Sequence, residues 1–320
     1  MSIDESSPRS ASQQAPRRSS SSTIGFVGFG QVAGCLAAAF AKQGAQIAAY
    51  DVLLDQPHGL DELSQRGPQA GVQFLPLADM LTQAKTVLST VTTDVALAAA
   101  KACVPHLHGG HVFIDLNATS PAIKRAVADA LAPTGADFVE GAILGAIGVT
   151  GAQTRILVCG NKAAWAAEEM SRLGLNVGFY GTEIGRASTF KLLRSVFSKG
   201  MEALLLESLL AARRAGVEDD IWREIITTLD ERPFAEVGGN WMRTHGSAHA
   251  RRYHEMVQVE ELLRELDLEP LLTAATTRFF ERSTHLALSR SLQKRPDKPE
   301  EVVAALDELF RKDTSQTEQQ

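Results

Sequence analysis

A glycine-rich turn between an apolar segment and an alanine-rich segment is the feature that most constrains this chain. The apolar run TIGFV ends at residue 27, and the next six residues, GFGQVA, match the pattern G-x-G-x-x-A. In a strand–turn–helix unit, Gly28 permits the tight turn, Gly30 lets the backbone approach a pyrophosphate, and Ala33 lets the helix pack close to the strand. The N–H groups and the positive dipole at the N-terminus of the helix then bind the anion. The pattern predicts a dinucleotide-binding turn formed by Gly28, Phe29, Gly30, Gln31, Val32 and Ala33.

An acidic residue follows at the distance expected for a ribose-binding carboxylate. The second apolar run, QIAAYD, ends in Asp51, 21 residues after Gly30. A carboxylate there binds the ribose hydroxyls of adenosine and repels a 2′-phosphate. Because neither Arg nor Lys occurs in QIAAYDVLLDQ, the sequence favours NAD over NADP as the cofactor. We also expect Val91, at the end of a later apolar run, to line the cofactor site.

The pattern of apolar and amphipathic segments along the chain predicts two domains between two polar tails. From residue 23 to about 183, eight short apolar runs alternate with amphipathic segments, which is typical of an α/β fold with a Rossmann-type, doubly wound parallel sheet. Helical patterns alone follow over 184–312, and the first of them, 184 to about 215, predicts a long interdomain helix. We expect residues 1–22 and 313–320 to be disordered tails. A transit peptide is the alternative for 1–22, but Asp4 and Glu5 argue against it.

Composition limits the partners and the compartment. The net charge is −6, which indicates no general affinity for nucleic acid or for acidic membranes. No apolar run approaches the ~18–20 residues that a membrane span requires. The three cysteines are scattered and have no CxxC spacing, which favours a reducing compartment and no cysteine-based zinc site. The sequence therefore predicts a cytoplasmic protein that binds no nucleic acid, membrane or metal.

Three further segments resemble motifs of the β-hydroxyacid dehydrogenase superfamily, the relatives of 6-phosphogluconate dehydrogenase. The segment IDLNATSP (114–121) is similar to the family's D-x-S-T-x-x-P motif, with Asn117 and an alanine in place of the Ser-Thr pair. The segment FVEGAILGA (138–146) stands where the family has a glycine-rich substrate loop, with a leucine and Ala146 replacing its Ser and second Gly. The segment GRASTFKLLRS (185–195) supplies the family's lysine, Lys191, with Arg194 and Ser195 at the two asparagine positions.

A fourth segment, HARRYHEM (249–256), resembles a subgroup that carries a phosphogluconate-dehydrogenase-like C-terminal domain of unknown function. The resemblance implies an NAD-dependent oxidoreductase that interconverts an alcohol and a carbonyl on a small acidic, 3-hydroxyacid-like substrate. It implies that Lys191 donates or accepts the proton and that Ser195 hydrogen-bonds the same oxygen. The substrate-binding residues that we predict are Asn117, Gly145, Ala146, Arg194, His249 and Arg252.

Helical spacing agrees with a catalytic Lys191, because residues 188, 191, 194 and 195 share one helix face. A neighbouring arginine and partial burial would lower the pKa of this lysine toward the range useful for proton transfer. Simpler interpretations stay open: a solvated lysine, a helix-capping Asn117, a flexible turn at Gly145, and a salt-bridged helix surface around Arg252.

Two other functions remain open at this point. Imine reductases share the architecture but generally lack the lysine, so Lys191 argues against them. A sensor that binds NAD(H) without turnover is compatible with the replaced family residues. The length of the amphipathic helix also predicts a homodimer, since an exposed apolar face requires a partner surface.

Overall fold

The computed structural model describes residues 23–65, 71–292 and 294–317, so the predicted tail 1–22 lies outside the described residues. The chain forms two compact units, the first ending at Arg194 and the second beginning at Ser195. The domain boundary predicted from the sequence, between residues 183 and 184, lies just before the long helix. The two compact units divide within that helix.

The first unit is built on an eight-stranded sheet in the order β3-β2-β1-β4-β5-β6-β7-β8. All eight apolar runs of the sequence form strands, which confirms the predicted Rossmann-type fold. The strands are β1 (Thr23–Val27), β2 (Gln46–Tyr50), β3 (Val72–Phe74), β4 (Thr86–Ser89), β5 (Val112–Asp115), β6 (Asp137–Ile143), β7 (Ile156–Cys159) and β8 (Val177–Gly181).

Helices cover both faces of this sheet, because its buried strands alternate apolar side chains between two cores. On β4, Val87 belongs to one core and Leu88 to the other; on β5, Phe113 and Ile114 divide in the same way. The helices are α1 (Gln31–Lys42), α2 (Gly59–Gln65), α3 (Leu77–Gln83), α4 (Ala96–Cys103), α5 (Pro121–Leu131), α6 (Ile147–Thr150) and α7 (Ala163–Arg172).

One strand pair departs from the predicted parallel sheet. Strands β6 and β7 are antiparallel, whereas every other neighbouring pair of the described strands is parallel. A parallel crossover requires a long connection that usually contains a full helix. The β6–β7 connection contains only the four-residue helix α6 and one further short turn, so the chain reverses direction instead.

The second unit contains helices alone among its described residues. The long helix α8 (Arg186–Arg214) begins in the first unit, and five helices follow: α9 (Glu218–Asp230), α10 (Phe234–Glu265), α11 (Leu271–His285), α12 (Leu288–Ser291) and α13 (Pro299–Thr317). This confirms the predicted all-α region. In the part of the chain that the structure describes, no helix is long and apolar enough to cross a membrane.

Two helices extend beyond their sequence signals. The sequence also predicts a helix near 247–267. This helix, α10, begins earlier than predicted, at Phe234, because glycines weaken the helical signal of its first half. At Gly246 a Cβ atom would lie 2.6 Å from Leu292 Cδ1 and 3.1 Å from Pro296 Cγ, so the close packing of these two side chains favours glycine there. The predicted tail 313–320 is wrong for residues 313–317, because α13 continues to Thr317 and Asp313 accepts a 2.8 Å hydrogen bond from Arg282.

Candidate dinucleotide and substrate site

Two cavities lie at the carboxyl ends of the central strands, where open α/β sheets bind ligands. The first, which we call the Asp51 cavity, has a volume of about 540 Å³ and includes Gly28, Gly30, Asp51, Val91 and Ala98 in its lining. The second, the Lys191 cavity, has a volume of about 320 Å³ and is lined by Val32, Thr90, Val91, Thr92, Thr93, Leu116, Asn117, Ala118, Ile143, Gly145, Ile147 and Lys191. Because the two cavities share residues 90–92, they form adjoining parts of one site.

The glycine-rich turn has the geometry of an anion site. Gly28 has φ +83°, and a Cβ atom there would lie 2.6 Å from Val91 Cγ1, so both the backbone conformation and the close packing require glycine. At Gly30 a Cβ atom would meet nothing within 4 Å, which leaves open space beside the turn. Within the described residues no side-chain hydrogen bond caps the N-terminus of α1. The N–H groups of its first turn are therefore not occupied by a cap.

Asp51 braces the turn from the end of β2. Its Oδ2 accepts a 2.8 Å hydrogen bond from the Phe29 N–H, and its Oδ1 accepts one of 3.1 Å from the Leu53 N–H. The Phe29 ring is buried and packs edge-on against Phe26 and Phe74, so Phe29 contributes only backbone to the site. The carboxylate therefore fixes the turn, and Asp51 also lines the Asp51 cavity.

Asn117, which lines the Lys191 cavity, has a buried side-chain oxygen. Its backbone N–H donates to Asp115 Oδ1 at 2.9 Å, and its Nδ2 donates to Ser89 Oγ at 2.9 Å. The side chain is only 5% exposed, and its Oδ1 has no hydrogen-bond partner among the described residues. A buried acceptor without a partner is costly, so this oxygen suits a ligand that brings a donor.

Lys191, on the second turn of α8, is half-buried and is the single charged residue among the described residues that line its cavity. The other polar side chains there belong to three threonines and Asn117. Thr90 donates to the Gly28 carbonyl at 2.7 Å, which ties this cavity wall to the dinucleotide turn. The structure thus places the predicted lysine, Asn117, Val91 and the backbone of Gly145 around one cavity.

A buried ionic group that the sequence reasoning missed lies beneath the site. Lys124 Nζ lies 3.1 Å from Asp115 Oδ1 and donates to the carbonyls of Asp115, at 2.9 Å, and Gly141, at 3.3 Å. Burial lowers the pKa of the Lys124 ammonium, and the neighbouring carboxylate of Asp115 opposes that effect. The missed signal was the position of Lys124 on the buried face of α5, three residues before Val127.

Glu140, also missed, caps the helix that carries Lys191. Its buried carboxylate accepts hydrogen bonds from the backbone N–H groups of Gly185, at 2.5 Å, and Ser188, at 2.6 Å. These are the first amides of α8, which have no partner within the helix itself. A buried acid within the apolar run FVEGAI was the signal for this role.

Five further predicted residues, four of the first unit and one of the second, are not among the lining residues of either cavity. Gln31 lines a groove along the outer side of α1, Ala33 is fully buried in the core, and Ala146 is the N-cap of α6. Arg194 is exposed on α8, and Ser195 is the first residue of the second unit.

His249 and Arg252 find partners within the second unit. The ring nitrogens of His249 lie 3.0 Å from Thr284 Oγ1 and 2.8 Å from Ser289 Oγ. The Arg252 guanidinium donates to the Trp241 carbonyl at 3.2 Å and to Thr244 Oγ1 at 2.7 Å. The His249 contacts join α10 to α11 and α12, whereas the Arg252 contacts lie within α10. Substrate binding by these two residues stays a prediction.

Comparison with known families agrees with this architecture. Residues 23–173 match the NAD binding domain of 6-phosphogluconate dehydrogenase, and residues 212–283 match a domain of unknown function, DUF1932. The fold and the site define an NAD(P)-binding oxidoreductase of the Rossmann type. The chain belongs to the 6-phosphogluconate dehydrogenase-like and 3-hydroxyacid dehydrogenase-like family, in the group whose C-terminal domain is of unknown function.

Individual relatives lie in the same family. The chain is 30% identical to a solved protein of unknown function that is described as structurally similar to 3-hydroxyacid dehydrogenases; the match covers 83% of this chain and 99% of that one, with a TM-score of 0.56. It is 25% identical to 3-hydroxyisobutyrate dehydrogenase of Pseudomonas aeruginosa, over 68% of this chain and 71% of that protein. An imine reductase from Myxococcus stipitatus in complex with NADP+ shares the fold, with 16% identity, coverage of 84% and 99%, and a TM-score of 0.64.

Proposed function

We propose that this protein is an NAD-dependent dehydrogenase or reductase that interconverts an alcohol and a carbonyl on a small acidic substrate, with Lys191 as proton donor and acceptor. The observation that carries the proposal is the position of Lys191. It lines one cavity together with Asn117 and Val32, at the carboxyl ends of the strands and beside the dinucleotide-binding turn.

The residues present fit a dinucleotide. Open space at Gly30 and the uncapped first turn of α1 suit a pyrophosphate. The carboxylate of Asp51 faces the neighbouring cavity, as a ribose-binding acid would. The unpartnered Oδ1 of Asn117 suits an N–H or O–H donor of the nicotinamide or of the substrate.

The chain's own residues then divide the chemistry. The nicotinamide, when bound, accepts or supplies the hydride. Lys191 takes the hydroxyl proton in oxidation and returns a proton to the carbonyl oxygen in reduction. Asn117 orients a donor group at the cavity floor, and the backbone of Gly145 and Ala146 offers N–H groups to the acidic group of the substrate. Ser195, Arg194, His249 and Arg252 keep their predicted roles as substrate contacts.

The charge of Lys191 supports an acidic substrate, because no carboxylate is among the described residues that line its cavity. The relative from Pseudomonas aeruginosa is named for a hydroxyacid, which agrees with this class. NAD rather than NADP follows from Asp51, whose carboxylate would repel a 2′-phosphate. An imine reductase is the second candidate, since that fold match is extensive, yet a cationic Lys191 disfavours a cationic iminium substrate.

The first test is a spectrophotometric panel at the NADH absorbance band. Purified protein is assayed with NAD and NADP against β-hydroxy, sulfonated, phosphorylated and phosphonate acids, and with NADH and NADPH against keto acids and cyclic imines. The proposal predicts turnover with an acidic alcohol or carbonyl and a preference for NAD(H). Turnover with imines alone would refute it in favour of the second candidate, and NADH binding without any turnover would favour a sensor.

The exposed side chains of α8 support a homodimer, in which residues 184–312 form the substrate and dimerisation domain. On α8 several apolar side chains are exposed, among them Leu193 at 66%, Val196 at 72% and Leu206 at 58%. A surface of this kind on a helix is typical of a subunit interface. The cysteines Cys35, Cys103 and Cys159 are free thiols, which supports a cytoplasmic, reducing compartment.

A further inference from the structure

We propose that Glu140 is a positioning residue for Lys191: its buried carboxylate holds the first turn of α8 and so fixes both the location and the charge state of the lysine one turn further on. The proposal rests on the proposed catalytic role of Lys191. It adds a residue of β6 that is not among the lining residues of either cavity.

The geometric basis is a two-point attachment. Glu140 Oε2 accepts from the Gly185 N–H and Oε1 accepts from the Ser188 N–H, so both carboxylate oxygens hold the same helical turn. The carboxylate is fully buried, and Ser188 is 2% exposed. Since Lys191 lies three residues after Ser188, its backbone is placed directly by this attachment.

The electrostatic basis is the charge of the buried group. Glu140 supplies the carboxylate that directly contacts the first turn of α8, through the N–H groups of Gly185 and Ser188. The N-terminus of a helix is its positive pole, and it disfavours a protonated lysine nearby. The charge of Glu140 compensates this pole, so it favours the ammonium form of Lys191.

Other titratable groups surround this position on every packed element. They are Asp115 on β5, Lys124 and Arg125 on α5, Cys159 on β7, Glu183 between β8 and α8, and Arg186 at the beginning of α8. Burial, and next to it the charge of Glu140, raises the pKa of the Cys159 thiol to about 11. The Arg186 guanidinium stacks on the Tyr180 ring at 4.9 Å and so has its own partner.

The test is an NMR titration that requires no substrate. Lysines of the intact protein are reductively methylated with 13C-formaldehyde, which preserves their charge, and the Lys191 signal is assigned by its loss in Lys191→Arg. We expect Glu140→Gln to lower the titration midpoint of Lys191 by about half a pH unit. Glu140→Asp, which keeps the charge but shortens the reach, should give an intermediate midpoint.

A matched control exists in the second unit. Glu207 caps α11 in the same manner, through 2.8 Å hydrogen bonds from the N–H groups of Leu272 and Thr273. Glu207→Gln should destabilise the protein comparably and leave the Lys191 midpoint unchanged. An unchanged midpoint in Glu140→Gln, or an equal shift in Glu207→Gln, would overturn the proposal.

If Glu140→Gln does not fold, Glu140→Asp decides the question with hydrogen exchange as a second readout. The amides of Gly185 and Ser188 should exchange about tenfold faster than in the wild type, together with a lowered Lys191 midpoint. No change in either quantity overturns the proposal. If the Lys191 midpoint shifts in the Glu140 variants but Lys191→Ala keeps full turnover, Glu140 still positions Lys191, and the catalytic role of the lysine is refuted.

Discussion

At the scale of the residue, Asp51 serves two purposes that sequence motifs usually separate. It holds the glycine-rich turn through the Phe29 amide and directs its carboxylate at the cavity beside β2. The motif and the spacing predicted its location at the end of a strand. The bond to Phe29 was not predictable, because it depends on the pairing of β1 with β2, which no local pattern encodes.

This leads to a prediction for cofactor choice. Asp51→Asn keeps the shape and one acceptor oxygen but removes the charge that opposes a 2′-phosphate. We expect the ratio of the Kd values for NADPH and NADH to fall about tenfold in fluorescence titrations. Asp55→Asn is the matched control, since Asp55 accepts a hydrogen bond from Tyr50 at 2.6 Å and does not line the cavity. A ratio unchanged by Asp51→Asn would contradict the assignment.

At the scale of the element, the strands and the position of Lys191 were predictable and their connections were not. Apolar runs of three to seven residues identify β1 to β8, and the signal is clearest for the central strands because helices bury them on both sides. The roles of Lys124 and Glu140 were not predictable from the sequence, because their hydrogen-bond partners lie on other strands and helices. The first half of α10 has a weak helical signal in the sequence, because it contains glycines and glycine has a low helix propensity.

The α10–α11 pair predicts a pH-dependent stability. Burial, then the nearby His249 and Arg252, lowers the pKa of His245 from 6.5 to about 4. Its ring lies 5.1 Å from the Phe280 ring, and its Nε2 lies 3.0 Å from Ser283 Oγ. Above pH ~6.5 neither state binds the proton; between ~6.5 and ~4 only the unfolded chain does, so the free energy of unfolding should fall by about 3 kcal/mol as the pH decreases.

Urea unfolding at a series of pH values measures this slope. His245→Leu should flatten it between pH 6.5 and 4, because Ser283 keeps its hydrogen bond to the Phe279 carbonyl and no proton uptake remains at residue 245. The matched control is His254→Leu, which replaces an exposed histidine of the same helix. If His245→Leu retains the wild-type slope, the buried imidazole is not its source.

In the whole molecule, the exposed apolar face of α8 requires a partner surface, which the predicted homodimer would provide. Val196→Glu introduces a charge into that face and should convert a dimer to a monomer in analytical ultracentrifugation, lowering dimer affinity at least a hundredfold. Val149→Glu is the control, since Val149 is 84% exposed in the first unit. A wild-type monomer, or a dimer that tolerates Val196→Glu, would contradict the predicted homodimer.

The proposed catalytic role of Lys191 is tested most directly by comparing turnover with cofactor binding after the lysine is replaced. Lys191→Ala should lower kcat about 10²–10⁴-fold on the best acidic substrate, because Lys191 is the single charged residue among the described residues that line its cavity, while the Kd for NADH changes less than threefold. Lys199→Ala, which removes an exposed lysine of the same helix, should behave as the wild type. Turnover retained in Lys191→Ala would contradict the account.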